Sequence, residues 1–451
     1  MRRTALALAL IAGCSGGTRL DIQLVLPDQP PVTGVTQLQV VAQWSGGSSQ
    51  MVVAFADGGS LSLSLPAGPI DLTVSGLLAD GGAGWRGIAR GVQVPGSSGH
   101  AVARVLLGPI GQFASFDGTG VMPPLAGSAA VAWGPGQVLI SGGRAADGGL
   151  SSALWLYQQA SIQATPLTSL EPRAHHLAAV TLDAAGNRAL FLAGGEDPSG
   201  AASSTVELLA DGGQHALPPL SAPQRWPAAA VAGNGLELFV GCGAGGPASV
   251  NLYLPAAALT GIAGGGLEGI LPLPAPCEQG QLTWIPGLDS VLVGDVADGG
   301  FTLLGPDGGR RWGADSPVRQ GFGAVAFGDG GLLQFGGEIG GVPVATFATF
   351  PLGAPSTGFT TARADFGWTT VPVNGGSVLV VGGRGGGGAP LSSAELIDLA
   401  DGSSSVVPTP FNQPRIRPAV VDISGSGAAL VVSGEDADGR PVGGLEIYTY
   451  P

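Results

Sequence analysis

The sequence predicts an all-β protein in which a seven-bladed β-propeller follows a small antiparallel β-sandwich. A glycine-marked unit recurs seven times through the last three-quarters of the 451-residue chain, at a mean spacing of about 49 residues. Each copy reads as strand, tight turn and strand, and a period of this size has room for four strands. Before the first copy, short alternating strands separated by turn residues indicate a sandwich.

The clearest copy of the unit runs from Gly375 to Leu399 and reads GGSVLVVGGRGGGGAPLSSAELIDL. It contains an apolar run, a Gly-Gly pair, a charged residue, a glycine-rich loop and a second alternating segment. In the other copies the first paired glycine, or the residue equivalent to it, is at positions 142, 194, 242, 295, 336 and 434. The copies at 242 and 295 are the weaker ones.

This unit resembles the repeat of the kelch family, which carries a double glycine after its second strand and forms one propeller blade. The resemblance covers roughly residues 113 to 451. It implies a kelch-type β-propeller over residues 111–451 and makes the number of blades less certain than their type.

Charged residues occupy fixed places in the repeat, although only 11% of the chain is charged. An arginine precedes a short apolar strand at Arg173, Arg225, Arg319, Arg363 and Arg415, which again resembles kelch. A charged residue follows the glycine pair at Arg144, Glu196, Glu338, Arg384 and Glu435. These side chains either pair within and between blades or form a ring at one end of the propeller that contacts a ligand, and the second set is our candidate binding site.

The two ends of the propeller are predicted to share one blade. The last copy ends at Pro451 without a fourth strand, whereas the strand-like stretch from Gln112 to Met122 belongs to no copy. Because an open sheet edge exposes unpaired backbone groups, we expect this stretch to pair with Leu445 to Tyr450 as the outer strand of the last blade.

Residues 18–108 are predicted to form the sandwich. The candidate strands are Arg19 to Leu26, Gln37 to Trp44, Gln50 to Ala56, Ser60 to Leu65, Ile70 to Leu78, Trp85 to Arg90 and His100 to Leu107. The segment LSLPAGPIDLTVSGL from Leu63 resembles, weakly, the transthyretin-like and carboxypeptidase-regulatory-like sandwiches, which implies a spacer or adhesion role.

The first 14 residues have the layout of a lipoprotein signal peptide. Arg2 and Arg3 precede a short apolar run, and Ile11, Ala12, Gly13 and Cys14 match the bacterial lipobox. An ordinary signal peptide that happens to contain a cysteine is the alternative. We expect lipidation of Cys14, a tether at residues 15–17, and anchoring in the outer membrane or at the cell surface of a Gram-negative-type envelope.

Composition limits the partners and the cysteine chemistry. The chain has no lysine and a net charge of −14, so a nucleic-acid partner is not expected. Lipidation of Cys14 would leave Cys242 and Cys277 in an oxidising compartment, either as a disulfide or as two separate buried thiols.

No residue pattern selects a catalytic or metal site, and we expect no cofactor. His175 and His176 are neighbours in a strand and are poor joint metal ligands, and a packing role is expected for His176. Galactose oxidase also contains a kelch-type propeller, but its copper site requires tyrosines, histidines and a cysteine crosslinked to a tyrosine. Here Tyr157, Tyr253, Tyr448 and Tyr450 are in predicted strands. Acid clusters such as those at Glu196 and Glu435 lack the full spacing of a calcium loop.

Two function hypotheses follow. The first is a non-enzymatic lipoprotein whose propeller binds a protein or a glycan, favoured because His, Cys and Tyr are scarce in the loops. The second is a secreted hydrolase or lyase that uses acidic residues on the loop face.

Overall fold

The computed structural model describes residues 18–55, 60–96, 100–116, 123–159, 163–183, 185–259, 266–277, 279–294, 300–305, 308–312, 318–327, 331–350, 358–423 and 425–451. Strands dominate these residues. The helical elements in them are α1 (Pro255–Ala258) and two 3₁₀ turns, Pro286–Leu288 and Gly386–Gly388. The all-β prediction is confirmed. Within the described residues, no helix is long and apolar enough to cross a membrane. Cys14 and the rest of residues 1–17 lie outside the described residues.

The first strands form two sheets that share one core. Their bounds are β1 (Thr18–Val25), β2 (Gln37–Trp44), β3 (Gly47–Ala54), β4 (Ser60–Leu65), β5 (Gly68–Leu77), β6 (Ala83–Val94), β7 (His100–Leu106) and β8 (Gly108–Pro109). The orders are β4-β1-β7 and β3-β2-β5-β6-β8. In β1, Leu20 and Ile22 are fully buried between exposed or half-buried neighbours, as period-2 alternation requires. One detail of the prediction is wrong: β1 and β7 pair in parallel, because the chain returns to the same sheet through strands of the other one.

The remaining strands form seven separate antiparallel sheets. Their members, from the innermost strand outwards, are β10 (Ala129–Gly134), β11 (Gln137–Ser141), β12 (Ala153–Gln158) and β13 (Gln163–Ser169); β14 (Leu177–Leu182), β15 (Arg188–Ala193), β16 (Val206–Ala210) and β17 (Gly213–Leu217); β18 (Ala228–Val231), β19 (Leu238–Gly241), β20 (Ser249–Tyr253) and β21 (Leu267–Pro272); β22 (Leu282–Ile285), β23 (Ser290–Gly294), β24 (Phe301–Gly305) and β25 (Gly308–Trp312); β26 (Gly323–Phe327), β27 (Gly331–Phe335) and β30 (Phe347–Phe350); β31 (Gly367–Val371), β32 (Ser377–Val381), β33 (Ala394–Asp398) and β34 (Ser404–Val406); and β35 (Ala419–Ile423), β36 (Ala428–Val432), β37 (Glu446–Thr449) and β9 (Phe113–Ser115). A separate hairpin, β28 (Glu338–Ile339) with β29 (Val342–Pro343), precedes β30.

Each sheet packs on the next through its own hydrophobic cluster. Leu139 and Leu192 belong to the cluster between the first and second sheets, and similar clusters join each later pair. Val138 and Leu430 lie in the cluster that joins the seventh sheet to the first. The propeller prediction is therefore confirmed as a fold. The blade count of seven stays a prediction, because the fifth sheet has three described strands.

The last sheet contains strands from both ends of the propeller. β9 pairs with β37, with Ala114 opposite Ile447 and Phe113 opposite Tyr448. This confirms the predicted closure for Phe113 to Ser115, whereas residues 117–122 lie outside the described residues. The outer side of β9 is covered in turn, because the backbone N–H of Asp28 donates to Ser115 O at 2.8 Å and the N–H of Ser115 donates to Gln29 O at 2.8 Å.

Four of the five repeated arginines are buried inside their blades. Arg363 and Arg415 are fully buried, and Arg173 and Arg319 nearly so. Each donates to a carbonyl at the end of its own second strand, Gly194, Gly336, Gly382 or Ser433. Three of them also pair with a buried glutamate of the third strand, namely Glu207, Glu395 or Glu446. These arginines are structural, as one of the two interpretations had it.

The prediction for Arg225 is wrong by one position. The second paired glycine of a repeat donates to the carbonyl of the arginine position in the following repeat, as Gly143 does to Arg173. In the third repeat this acceptor is Gln224, which is fully buried. Arg225 is the next residue, and its side chain is 37% exposed.

The predicted disulfide is confirmed, and it lies where this arginine contact is missing. Cys242 and Cys277 are bonded, with their Cα atoms 4.7 Å apart. Cys242 has a φ of +59°, as the first paired glycine Gly142 does. Cys277 precedes a left-handed residue, Gln279, by the two positions that separate Arg173 from His175. The bond thus replaces an arginine contact between the third and fourth sheets.

Replacing both cysteines with serine is expected to lower the free energy of unfolding by about 3–4 kcal/mol, because the bond closes a loop with a sequence separation of 35 residues. Urea denaturation of the oxidised protein and the double variant would measure the difference. Equal stabilities would show that the bond does not hold the two blades together.

Candidate functional site

The five charged residues that follow the glycine pairs lie at one end of the propeller. Each pairs through an isolated β-bridge with the residue that precedes the entry into an innermost strand. These bridges are Ala126 with Arg144, Ala174 with Glu196, Gln320 with Glu338, Ala364 with Arg384 and Ile416 with Glu435. The loop after strand two and the loop before strand one of each blade therefore meet at this end.

The next residue along each entry loop has a left-handed backbone. The seven equivalent positions, which we call the axial ring, are Gly127, His175, Trp226, Gln279, Gly321, Asp365 and Arg417, with φ between +50° and +62° apart from +49° for Arg417. Backbone hydrogen bonds join neighbours in the ring: His175 N–H donates to Gly127 O at 2.7 Å, and Trp226 N–H donates to His175 O at 2.8 Å. Similar bonds run from Asp365 to Gly321 and from Arg417 to Asp365.

Side chains of the axial ring join the candidate residues into one network. His175 Nε2 lies 2.6 Å from Glu435 Oε1, and His175 Nδ1 lies 3.3 Å from Glu196 Oε1. Arg144 donates to Glu196 at 2.7 Å. On the same side, Arg225 Nε is 3.4 Å from Glu196 Oε1.

The other half of the network is built around Asp365. Arg417 Nη2 donates to Asp365 Oδ1 at 2.9 Å, and Arg384 lies between Asp365 and Glu338. Arg417 also approaches Glu435 at 4.0 Å, which connects the two halves. Its guanidinium lies 4.5 Å from the centre of the Trp226 ring, which in turn packs beside His175 at 5.1 Å.

Acids and bases are matched in this network, which shifts their pKa values. Burial alone would raise the pKa of Glu196, but the hydrogen bond from Arg144 and the charges of His175 and Arg225 bring it below its ordinary value. For Arg384, burial works against the charged form, whereas Glu338 and Asp365 outweigh it and raise the pKa. The carboxylates are thus held ionised, and the arginine side chains remain about 30% exposed at the propeller end.

Two glycines of the axial ring make room for their neighbours. A Cβ atom on Gly127 would lie 2.2 Å from Cδ2 and 2.4 Å from Nε2 of His175, so the imidazole lies across this glycine on its way to Glu435. A Cβ on Gly321 would lie 2.9 Å from Oδ1 of Asp365. Glycine at these positions therefore fixes where the two titratable side chains lie.

The sequence prediction brought together the right loops and missed half of the site. Arg144, Glu196, Glu338, Arg384 and Glu435 all enter the network, but His175, Trp226, Asp365 and Arg417 were not predicted. The available signal was their spacing, since three of them follow the buried arginines by two residues. His176 has the packing role expected of it: it is buried, its Nε2 lies 2.8 Å from Ser141 Oγ, and burial lowers its pKa well below the ordinary value.

Replacing Gly127 with alanine is expected to push His175 away from Glu435 and to destabilise the protein by about 1–3 kcal/mol. Gly148→Ala is a matched control, because Gly148 also has a positive φ, +86°, yet nothing lies within 4 Å of its Cβ position. Alanine there should cost about 1 kcal/mol of backbone strain alone. Side-chain NMR signals of His175 should shift in the first variant, and unchanged signals would contradict the contact.

Comparison with known proteins identifies the fold. A fungal alcohol oxidase of the AA5 family, solved in complex with copper, is similar over 75% of this chain and 75% of its own, with a TM-score of 0.53 and 16% sequence identity. The fold is that of a galactose-oxidase-like β-propeller. No protein-family model matches the sequence, and no curated protein matches it either.

This similarity corrects the predicted function. The prediction of a non-enzymatic binding lipoprotein is contradicted, because a solved structure with this fold is an enzyme. The prediction relied on the scarcity of His, Cys and Tyr in the loops. That scarcity does not measure how few of them a site needs once the propeller brings separate loops together.

The donor groups of this chain do not fit the copper centre known from galactose oxidase. Cys242 and Cys277 are bonded to each other. Tyr253 and Tyr450 are buried and donate to Pro218 O and to Asp422. In the described part of the chain, no group of three or more His, Cys, Asp or Glu side chains could hold a metal ion. We therefore derive no step through copper.

Proposed function

We propose that the axial end of the propeller is the active site of an enzyme that transfers a proton to or from a small polar substrate bearing a carboxylate. The observation that carries this proposal is the His175–Glu435 contact of 2.6 Å. A carboxylate bound to one imidazole nitrogen orients the ring and leaves the other nitrogen for the substrate, as in general acid–base sites.

His175 Nδ1 is the atom assigned to the substrate. It is buried and has no hydrogen-bond partner among the described residues. Glu196, 3.3 Å away, can accept its proton if the ring is charged. Within the same network, the buried indole N–H of Trp226 also has no hydrogen-bond partner in the described part of the chain. Two polar atoms beside each other are therefore open to a ligand, and buried polar atoms of this kind are costly unless they are paired.

The arginines provide the recognition of a negative charge. Arg144, Arg225 and Arg417 surround His175 and keep 28%, 37% and 31% of their side chains exposed. Guanidinium groups bind carboxylates through two parallel hydrogen bonds, which favours this substrate class over a neutral alcohol. Electrostatic attraction to these groups would orient the substrate towards Nδ1.

The experiment is a turnover screen of sugar acids, hydroxy acids and keto acids followed by NMR. Turnover of one class is expected with the unaltered protein and with His215→Gln, and a loss of about 100-fold or more is expected with His175→Gln. His215 lies in β17, outside the network, which makes it the control. Equal turnover by His175→Gln would overturn the proposal, as would oxygen consumption with simple primary alcohols after copper loading.

We also propose that the protein is a lipoprotein anchored through Cys14, with the sandwich as a spacer between the membrane and the propeller. Support comes from the lipobox sequence and the Arg2–Arg3 pair. A single acyl chain gives reversible membrane binding, whereas several chains give a stable anchor. Cys14→Ala should abolish the incorporation of labelled palmitate. Incorporation at the unaltered level would refute the anchor, and recovery of the protein outside the outer-membrane fraction would refute the location.

A further inference from the structure

A second pocket lies at the opposite end of the propeller from the axial ring. It has a volume of about 320 Å³ and is lined by Ala132, Val180, Thr181, Leu182, Arg188 and Gly235. We call it the lower pocket. β14 begins two residues after His175 and ends at Leu182, so at 3.3 Å per residue the two sites are roughly 20 Å apart. The volume is at the lower end of the range of small-molecule sites.

The walls of the lower pocket are apolar and come from three successive blades. Ala132, Val180 and Leu182 are half-buried and belong to innermost strands. The turn that contains Gly235 closes the pocket, because Gly235 O accepts from Thr181 Oγ1 at 2.9 Å and from Leu182 N–H at 3.0 Å. Thr181 is 1% exposed, so one buried polar side chain is fixed within apolar walls.

Arg188 is the charged group of this pocket, and its charge is available. No ion pair of Arg188 with a carboxylate is present in the described residues, although most of their arginines have one. The acid of the same hairpin, Asp183, is turned towards its own loop, where it accepts from the N–H groups of Ala185 and Asn187 and from the Asn187 side chain. These bonds bring the pKa of Asp183 below its ordinary value against the effect of desolvation. An exposed guanidinium beside an apolar pocket is thus left to an outside anion.

We infer that the lower pocket binds a small carboxylic acid with an apolar body, its chain against Ala132, Val180 and Leu182 and its carboxylate on Arg188. Apolar walls favour burial of the hydrocarbon part, and a guanidinium matches a carboxylate in charge and geometry. This site is independent of the proposed active site, because none of its lining residues belongs to the axial network.

Calorimetric titration with octanoate and with the neutral 1-octanol tests the inference on the full chain. Octanoate is expected to bind at one site and 1-octanol at least ten-fold more weakly. Arg188→Gln should lose ten-fold or more in octanoate affinity, and Ala132→Phe should block binding by filling the pocket. Arg104→Gln is the control, since Arg104 is also exposed and unpaired among the described residues but lies in the sandwich.

The outcomes separate this site from the proposed active site. His175→Gln should bind octanoate as the unaltered protein does, whatever its effect on turnover. Octanoate binding that is absent, or is unchanged in Arg188→Gln, would overturn the inference. Equal affinities for octanoate and 1-octanol would do the same, because the guanidinium would then have no part in recognition.

Discussion

Arg363→Ala is expected to lower the free energy of unfolding by about 3–5 kcal/mol, the usual result of removing one partner of a buried ion pair. Arg363 is fully buried and donates to Gly382 O at 3.1 Å, to Ser393 O at 3.0 Å and to Glu395 Oε1 at 2.7 Å. Alanine would leave two carbonyls unpaired and would leave the buried charge of Glu395 with backbone N–H donors from Thr360 and Thr361. Urea denaturation followed by circular dichroism measures the loss.

Two further variants show whether the buried charge is the cause. Arg440→Ala removes an arginine that is 74% exposed and paired with an exposed Asp438, so its effect should be less than about 1 kcal/mol. Replacing Arg363 and Glu395 together by Met and Leu should recover part of the loss, because no unpaired charge remains. A loss below about 1 kcal/mol in Arg363→Ala would contradict the structural role of these arginines.

Phe113→Ala is expected to cost about 3–5 kcal/mol, as for other buried phenylalanines, and to loosen the closure of the ring. Phe113 is 1% exposed, and its ring centre lies 5.7 Å from that of Phe411 and 5.2 Å from that of Tyr448. This ring therefore fixes β9, the strand from the start of the propeller, against the last two blades. Thermal and urea unfolding would measure the effect.

Val52→Ala is the comparison for this closure experiment, because Val52 is 48% exposed on a strand of the sandwich. Its expected effect is within about 0.5 kcal/mol. If Phe113→Ala were as stable as Val52→Ala, the shared last blade would not be what holds the ring closed.

Much of the fold could be predicted because the repeat fixes local structure and pairing together. β2 and β4 have the predicted bounds, Gln37–Trp44 and Ser60–Leu65. The closure followed from counting strands and from the cost of an open edge. The parallel pairing of β1 with β7 could not be predicted, because alternation within a strand specifies a buried face and says nothing of the neighbouring strand.

The site was only half predictable, for a related reason. Arg144 and Glu435 are visible because they follow glycine pairs, whereas the axial ring has no common residue type, with Gly, His, Trp, Asp and Arg at equivalent positions. What these positions share is a left-handed backbone, which is uncommon outside glycine and cannot be seen in the letters His175 or Trp226. Arg225 was misplaced because it stands one residue after the position that Gln224 occupies.

The most direct test of the proposed active site is an NMR titration of histidine-labelled protein with D-galacturonate and related sugar and hydroxy acids. The chain has four histidines, so each can be assigned by single replacement. We predict that one acid class shifts His175 in a saturable way, that His100, His176 and His215 change little, and that Arg144→Gln and Arg225→Gln weaken the response. A His175 signal that no carboxylate moves, or that shifts equally in the arginine variants, would contradict the assignment of the axial end as a carboxylate-binding active site.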